Sequence, residues 1–366
     1  MKAFHLLPTL SVLSLSLFAL TACDTQKPTE TANQTEQTAK TSNEQNNNNK
    51  ATTNYAGKTL TVYSYDSFTS DWGPAPKLKE SFEANCNCTI EFVPFEDGVT
   101  MFNRVRLEGD NPKADVIIGL DNNLLNSAQA SGLFAKTNID LSHLQLPTKW
   151  TNQTFIPYDY GQYAFIYNKE AFAKNGKTPP KSLKELVNNQ NYSVIYQDPR
   201  TSTVGRGLLA WVNEVFGDQS EAAWKALSKH TVTVGKGWSE TYEAFKNGES
   251  DLVLSYNTSP LYHKIHEDTD KYVAASFDEG HIVQIELAAQ LKASDTPALA
   301  QDFIAFLLTP EAQKTIATSN IMLPVINTKI EPNFDAFVAE KTLAVPTPDD
   351  KTAKAQIDVW QKAVSK

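Results

Sequence analysis

From residue 58 onward, the chain alternates short apolar runs rich in β-branched residues with segments in which apolar residues recur at helical spacing. The strand-like runs are 59–63, 89–93 and 115–120 and, after an interval, 193–196, 232–234 and 251–255. Helical spacing is found over 76–85, 99–108, 124–130, 208–215, 221–227 and 240–246. Such alternation predicts parallel sheets covered by helices, and two runs of it predict two α/β lobes.

Two longer extended stretches connect these runs. Residues 155–167 and 281–287 are each long and apolar enough to cross from one lobe to the other, and helices are predicted after them over 298–308, 310–317 and 355–364. We therefore expect a two-lobed α/β fold with two hinge crossings. Its first lobe would comprise 58–157 and 281–366, and its second lobe 158–280. The alternative, two independent domains in series, would leave the C-terminal helices without a sheet of their own.

The first 57 residues are predicted to lie outside this fold. Residues 1–22 have a weakly basic start and an apolar run over 6–20, and the run ends in the lipobox LTAC at 20–23. This pattern predicts a cleaved secretion signal and a lipid anchor on Cys23, with an ordinary signal peptide as the alternative. Asp24 resembles an inner-membrane retention signal. Residues 24–56 contain no Leu, Ile, Val, Phe or Met, so 23–57 is expected to be a disordered tether in the periplasm.

Charge and cysteine content exclude several classes of protein. The chain has 33 Lys and Arg against 42 Asp and Glu, a net charge of −9, which argues against nucleic-acid binding. Three cysteines exclude a disulfide scaffold and a Cys₄ zinc site, and Cys86 and Cys88 are candidates for a small-ring disulfide. His263 and His266 have loose metal spacing without a third ligand, so a solvated helix face is favoured and no metal is predicted. Common catalytic motifs are absent from the sequence.

The loops that follow the strands carry the candidate binding residues, because ligands of open parallel sheets bind beyond the carboxyl ends of the strands. One group is rich in hydroxyls and glycine and opens helices, which favours an anion; it comprises Asp97, Gly98, Ser202 and Thr203. The other group is aromatic and suits a heteroaromatic or cationic ring; it comprises Trp72, Trp238, Tyr256 and Tyr262. The alternatives are simple helix caps for the first group and packing for the second.

Several of these loops have sequences that, in order, closely resemble one family. They read TVYSYDSF (61–68), DWGP (71–74), EDGV (96–99), GLDNNLL (119–125), YQDPRTST (196–203), KGWSE (236–240) and SYNTSP (255–260). The chain is thereby similar to the periplasmic thiamine-binding proteins of bacterial ABC importers, within the type-2 solute-binding superfamily. The resemblance runs from about residue 58 to the end.

The resemblance implies a ligand and a set of contacts. The ligand would be thiamine, thiamine monophosphate or thiamine pyrophosphate, bound between the lobes without any cofactor. The implied contacts are Asp97, Gly98, Ser202, Thr203, Trp238, the loop Tyr256, Asn257, Thr258, Ser259 and Pro260, and Tyr262 as a stacking ring. Asp66 and Asp97 are the candidate carboxylates for the thiazolium cation, and Trp72 belongs to the aromatic group. The family can carry Trp after a Gly-Asn pair where this chain has Ser319, Asn320 and Ile321, which puts one stacking contact in doubt.

The sequence therefore predicts a monomeric substrate-binding lipoprotein that captures thiamine or its phosphate esters and delivers them to a membrane permease. Capture would involve no bond chemistry. Two alternatives remain. The same fold could bind another small solute, such as iron, a polyamine or a phosphonate. A secreted thiamine-degrading enzyme would instead need a nucleophilic cysteine in the cleft, and the CNC turn at 86–88 fits that role poorly.

Overall fold

A computed structural model describes residues 54–331, 334, 337 and 341–365. The predicted signal peptide, Cys23, Asp24 and almost all of the predicted tether lie outside these residues. Within the described part of the chain, no helix is both long enough and apolar enough to cross a membrane.

The first α/β run of the chain forms one side of a mixed sheet. Its elements are β1 (Thr59–Tyr65), α1 (Asp66–Thr69), α2 (Ala75–Cys86), β2 (Thr89–Phe95), α3 (Gly98–Glu108), β3 (Val116–Asp121) and α4 (Leu125–Ser131). Strand β1 lies between β2 and β3 and is parallel to both. Because alternate side chains of a strand face opposite sides, Leu60 and Val62 of β1 pack with α2, whereas Tyr63 packs with α3. Cys86 and Cys88 are joined by a disulfide at the end of α2.

The long strand β4 (Ile156–Asn168) leads into the second α/β run. The elements that follow are α5 (Lys169–Lys174), α6 (Leu183–Asn188), β5 (Val194–Gln197), α7 (Thr203–Phe216), a 3₁₀ turn (Gly217–Gln219), α8 (Ser220–Leu227), β6 (Thr231–Gly235), α9 (Trp238–Lys246), β7 (Leu252–Tyr256), α10 (Ser259–His266) and β8 (Tyr272–Ala274). Strand β5 lies between β6 and β7 and is parallel to both. The predicted loop at 256–260 is only partly a loop, because Ser259 and Pro260 already belong to the first turn of α10.

The chain then returns to the first sheet. The returning elements are β9 (His281–Gln290), α11 (Pro297–Phe306), α12 (Pro310–Ser319), β10 (Leu323–Pro324), β11 (Thr342–Leu343) and α13 (Asp350–Val364). Strand β9 is antiparallel to β3 on one side and to residues 156–162 of β4 on the other. Residues 163–167 of β4 pair instead with β7, so β4 belongs to both lobes. The strand order β2-β1-β3-β9-β4-β7-β5-β6 therefore runs through both lobes.

The C-terminal segment differs from the expectation that 281–366 belongs to the first lobe. Strand β11 pairs with β9, and α13 then packs on α8 and α7 of the second lobe. The indole nitrogen of the buried Trp360 donates a hydrogen bond to the Tyr196 hydroxyl at 3.2 Å. An amphipathic pattern gives a helix one apolar face but does not specify its partner. The segment is thus a third connection between the lobes, beside the two that the sequence predicts.

Candidate functional site

A cavity of about 500 Å³ lies between the two lobes, at the edge where the parallel strands end. This volume lies within the range of small-molecule sites. Eight of the residues predicted from the sequence line it: Asp66, Trp72, Asp97, Thr203, Trp238, Tyr256, Ser259 and Tyr262. Loops at the carboxyl ends of the parallel strands therefore bring together residues of both lobes that are far apart in the chain.

Three of the other predicted residues are close to this cavity but support it from behind. The hydroxyl of Ser202 accepts hydrogen bonds from the Val204 and Gly205 amides and so caps α7. The backbone of Gly98 lies close to the backbone of Gly119, since a Cβ on Gly98 would be 2.2 Å from the Gly119 carbonyl oxygen. Pro260 supports the first turn of α10.

The remaining two predicted residues, Asn257 and Thr258, lie buried behind Tyr256. The Asn257 side chain exchanges two hydrogen bonds with Gln162 of β4, each 3.0 Å long. The Thr258 hydroxyl is buried and has no hydrogen-bond partner among the described residues. Asn257 therefore acts on the junction between β7 and β4, and neither residue lines the cavity.

One side of the cavity is an aromatic wall, which we define as Trp72, Trp238, Tyr242 and Tyr262. The rings of Trp238 and Tyr242 stack with centroids 4.8 Å apart and planes 18° apart. Trp72 reaches across from the first lobe, with its ring centroid 6.4 Å from that of Trp238 and 6.2 Å from that of Tyr262. Ring faces of this kind attract cations and other aromatic rings.

Hydrogen bonds hold the stacked rings in place. The indole nitrogen of Trp238 donates to the Ser255 hydroxyl at 2.8 Å. Behind Tyr242 lies His263, whose Nε2 is 2.9 Å from the Tyr242 hydroxyl and whose Nδ1 is 2.6 Å from a Glu267 carboxylate oxygen. Burial lowers the pKa of His263, so its ring is neutral. The expectation of a solvated helix face is thus wrong for His263, because α10 packs this side fully against Tyr242 and Tyr272.

The carboxylate of Asp97 links the two lobes. Its Oδ1 accepts hydrogen bonds from the Gly98 amide at 2.7 Å, which starts α3, and from the Thr203 amide at 2.8 Å, which starts α7. The Thr203 hydroxyl donates to the same oxygen at 3.1 Å. Burial outweighs these bonds and raises the pKa of Asp97 to about 6. Gly98 and Thr203 belong to the group that the sequence predicts to bind an anion. Their backbone amides therefore already donate to a side chain of the protein.

Further contacts between the lobes surround Asp97. The Ser239 hydroxyl of α9 donates to Asp66 Oδ1 at 2.9 Å, and the Thr100 amide donates to the Thr201 carbonyl at 3.2 Å. A Cβ on Gly237 would lie 2.7 Å from the Glu96 carbonyl oxygen. The two lobes thus touch along the edge of the cavity, which is a closed arrangement.

A buried acid pair, Asp159 and Glu286, lies where the two hinge strands meet. These residues are direct partners in the antiparallel register of β4 and β9, and they are 0% and 5% exposed. Burial and the neighbouring carboxylate raise the pKa of Asp159 well above its ordinary value, and burial raises the pKa of Glu286. Like charges directly opposite each other repel, so the pair shares one proton and carries a single negative charge.

Donors from three further residues fix this acid pair. The hydroxyls of Tyr65 and Tyr158 each donate to Glu286 Oε2 at 2.7 Å. The Asn320 amide donates to Asp159 Oδ2 at 2.8 Å and lies 3.0 Å from the Tyr65 hydroxyl oxygen. Glu286, Tyr65 and Asn320 all line the cavity. The acid pair therefore presents one oriented carboxylate, that of Glu286, to the cavity.

The sequence predicted neither Glu286 nor Tyr65 as a site residue. Tyr65 directly precedes the predicted Asp66, and Glu286 is an acid within an otherwise apolar stretch, which was the available signal. Ile321, at the position where the family can carry Trp, also lines the cavity and has φ 56°, an uncommon conformation for a β-branched residue.

Six carboxylates and one ammonium group, that of Lys246, line the cavity, so its charge favours a cation.

Two lobes joined by strands, with a closed cleft between them, are typical of solute-binding proteins, which close over a small molecule by hinge motion. Comparison with known proteins supports this class. Residues 77–345 match the family of bacterial extracellular solute-binding proteins. Among the described residues, no group of three or more His, Cys, Asp or Glu side chains is arranged to hold a metal ion.

Curated relatives and a solved structure give a finer assignment. The thiamine-binding periplasmic protein of Haemophilus influenzae is 55% identical over 316 residues, which cover 85% of this chain and 94% of the relative. That of Escherichia coli is 51% identical, with coverage of 85% and 95%. A solved periplasmic thiamin binding protein aligns with a TM-score of 0.81 at 51% identity, over 84% of this chain and 96% of that one.

The chain therefore belongs to the bacterial extracellular solute-binding proteins and, within them, to the family of thiamine-binding periplasmic proteins. This confirms the resemblance drawn from the sequence motifs and the predicted type-2 fold. A ferric binding protein from Campylobacter jejuni shares the fold alone, with a TM-score of 0.67 at 18% identity.

Proposed function

We propose that this protein captures thiamine and its phosphate esters in the cavity between its lobes and delivers them to the membrane permease of an ABC importer. The observation that carries the proposal is the pairing of an aromatic wall with an excess of carboxylates in one closed cavity. Thiamine combines two aromatic rings with a permanent positive charge, so ring faces and carboxylates both stabilise it. The relatives named for thiamine binding support the same ligand.

Capture in this proposal is a binding cycle without bond chemistry. The ligand first joins one lobe, and bending of β4 and β9 brings the other lobe over it. Contacts such as Asp97 to Thr203 and Asp66 to Ser239 then hold the closed form, which the permease recognises. A thiamine-degrading enzyme would need a free thiol in the cleft. Within the described residues, Cys86 and Cys88 are bonded to each other and do not line the cavity.

The phosphate esters impose one additional requirement. The Thr203 amide donates to Asp97, and the next two amides of α7 donate to Ser202. A ligand phosphate at this helix end would have to replace one of these acceptors. The Ser202 and Thr203 hydroxyls would then donate to that phosphate, so the double substitution of Ser202→Ala and Thr203→Ala is expected to weaken the phosphate esters more than free thiamine. Equal losses for all forms would remove the phosphate from this position.

We also propose that a lipid on Cys23 anchors the protein to the cell membrane on the periplasmic side. The support is the lipobox at 20–23 and the polar segment that follows it. Asp24 favours the inner membrane. In fractionated cells, the wild-type chain is expected in the membrane fraction and Cys23→Ser in the soluble periplasmic fraction. Equal release of both chains would contradict the anchor.

The ligand is tested by isothermal titration calorimetry on the purified chain, with thiamine, its two phosphate esters, spermidine and ferric citrate. Thiamine is expected to bind with a stoichiometry of one per chain, and spermidine and ferric citrate are expected to give no saturable heat. Saturable binding of spermidine or iron without binding of thiamine would replace this proposal by another solute of the same fold. Cleavage of thiamine during the titration, followed by chromatography, would favour the enzyme.

A further inference from the structure

The acid pair has a feature that a cationic ligand alone does not explain. A positive charge can be neutralised by any nearby carboxylate, and the cavity has five lining carboxyl side chains other than Glu286. Glu286 differs from the exposed Glu240 and Glu243 because it is 5% exposed and is held in one orientation by two tyrosine hydroxyls. A carboxylate fixed so firmly is suited to a directional hydrogen bond.

The hydrogen bonds of Asp159 and Glu286 indicate which of the two side chains carries the negative charge of the pair. Both tyrosine hydroxyls donate to Oε2 of Glu286, and the nearest Asn320 contact is also with Oε2. Burial and the adjacent Glu286 carboxylate raise the pKa of Asp159 well above its ordinary value, so the proton of the pair resides on Asp159. The negative charge therefore stays on Glu286, which lines the cavity, rather than on Asp159 behind it.

The chemistry of the ligand indicates which of its groups fits this carboxylate. The thiazolium ring carries the positive charge but has no N–H group to donate. The aminopyrimidine ring carries an exocyclic amino group, which donates, and ring nitrogens, which accept. Both tyrosine hydroxyls donate to one oxygen of Glu286, so the carboxylate can accept a further N–H group from the ligand, and ring faces match the aromatic wall.

We propose that Glu286 accepts a hydrogen bond from the exocyclic amino group of the aminopyrimidine ring and thereby sets the selectivity for amino over oxo pyrimidines. This inference rests on thiamine as the ligand. Asp159 acts as a positioning residue, since it holds the shared proton and leaves Glu286 charged. Because Glu286 lies on the hinge strand β9, its bond to the ligand also ties recognition to the strand that bends on closure.

The inference is tested first on the wild-type protein with oxythiamine, in which an oxo group and a ring N–H replace the amino group and a ring nitrogen. Calorimetry is expected to give a dissociation constant at least about tenfold higher for oxythiamine than for thiamine, because an oxo group facing a carboxylate offers no donor. Equal affinities would overturn the inference while leaving thiamine as the ligand. A lack of thiamine binding would instead overturn the proposed function.

Variants then assign the selectivity to Glu286. In Glu286→Gln, the new amide can donate to the oxo group, so the ratio of the two dissociation constants is expected to fall to about threefold or less. Glu286→Asp keeps the charge and is expected to retain the preference for thiamine at lower affinity. Glu243→Gln removes a carboxylate from the same cavity and is expected to weaken both ligands equally.

The same ratio in Glu286→Gln as in the wild type would overturn the role of Glu286. Circular dichroism melting of each variant checks that it is folded. If Glu286→Gln does not fold, Asp159→Asn replaces it in the test. Asp159→Asn leaves Glu286 in place but removes the shared proton, and it is expected to change the ratio at least threefold, whereas an unchanged ratio would contradict the positioning role.

Discussion

The aromatic wall and the acid pair line the same cavity but are built in opposite ways. Most of the wall depends on local sequence, because Trp238 and Tyr242 are four residues apart on α9 and Tyr262 lies on the short helix α10; only Trp72 comes from the first lobe. The acid pair depends on the register of two strands distant in sequence, β4 and β9. Burial of the rings stabilises the fold, whereas burial of the carboxyl groups costs free energy. Groups buried at such a cost are candidates for ligand recognition.

The largest expected effect tests whether the buried carboxyl groups carry this cost. The pKa of Asp97 is about 6 in the folded chain, against 3.8 for an ordinary Asp. The folded state therefore keeps this proton up to a higher pH than the unfolded state does. Its contribution to stability, about 3 kcal/mol, is fully present below the ordinary pKa of 3.8 and is lost as the pH rises through about 6.

The substitution that isolates this effect is Asp97→Asn, whose single carbonyl oxygen can keep the bonds made by Oδ1. The free energy of unfolding, measured by urea titration at pH 4 and pH 7, is expected to shift in favour of the variant by up to about 3 kcal/mol over this interval. Parallel pH profiles for the two chains would contradict the cost assigned to Asp97.

The second effect tests the aromatic wall. Trp238→Ala removes the ring that stacks on Tyr242 and faces Trp72, so thiamine affinity is expected to fall by about 1–3 kcal/mol. Calorimetry measures this loss, and Trp150→Ala serves as the control because Trp150 does not line the cavity. Unchanged affinity in Trp238→Ala would remove the wall from the binding site.

The third and smallest effect tests whether the two regions must be brought together by closure. A Cβ on Gly237 would collide with the Glu96 backbone across the lobes, while its own φ of −147° suits alanine. Gly237→Ala is therefore expected to weaken thiamine binding about tenfold, or ~1.4 kcal/mol, without lowering the melting temperature of the free protein. Wild-type affinity in this variant would show that the closed contact at Gly237 is not needed.

The difference between the two regions also explains what the sequence could predict. Trp238, Tyr256 and Tyr262 follow strand ends, and the carboxyl ends of parallel strands meet at one edge, so their convergence could be predicted. Asp159 and Glu286 lie inside the two predicted crossings. Their pairing requires the antiparallel register and the irregularity between Pro157 and Asp159, and neither is specified by alternation of strands and helices.

The fold was predictable to a similar degree. The apolar run at 115–120 gave β3, whose six residues are all buried, and the two extended stretches gave β4 and β9. The placement of α13 on the second lobe was not predictable, because its apolar face fits any apolar helix pair. The prediction of a solvated position for His263 was wrong for a related reason. The polarity of a histidine does not show that Tyr242 and Glu267 form hydrogen bonds with both of its ring nitrogens.

The most direct test of the central claim is a crystal structure of the protein with thiamine bound. We predict thiamine in the cavity between the lobes, with ring faces against Trp238 and Tyr262 and the exocyclic amino group within hydrogen-bond distance of the Glu286 carboxylate. Thiamine bound outside this cavity, or bound inside it with the amino group directed to solvent, would contradict the account.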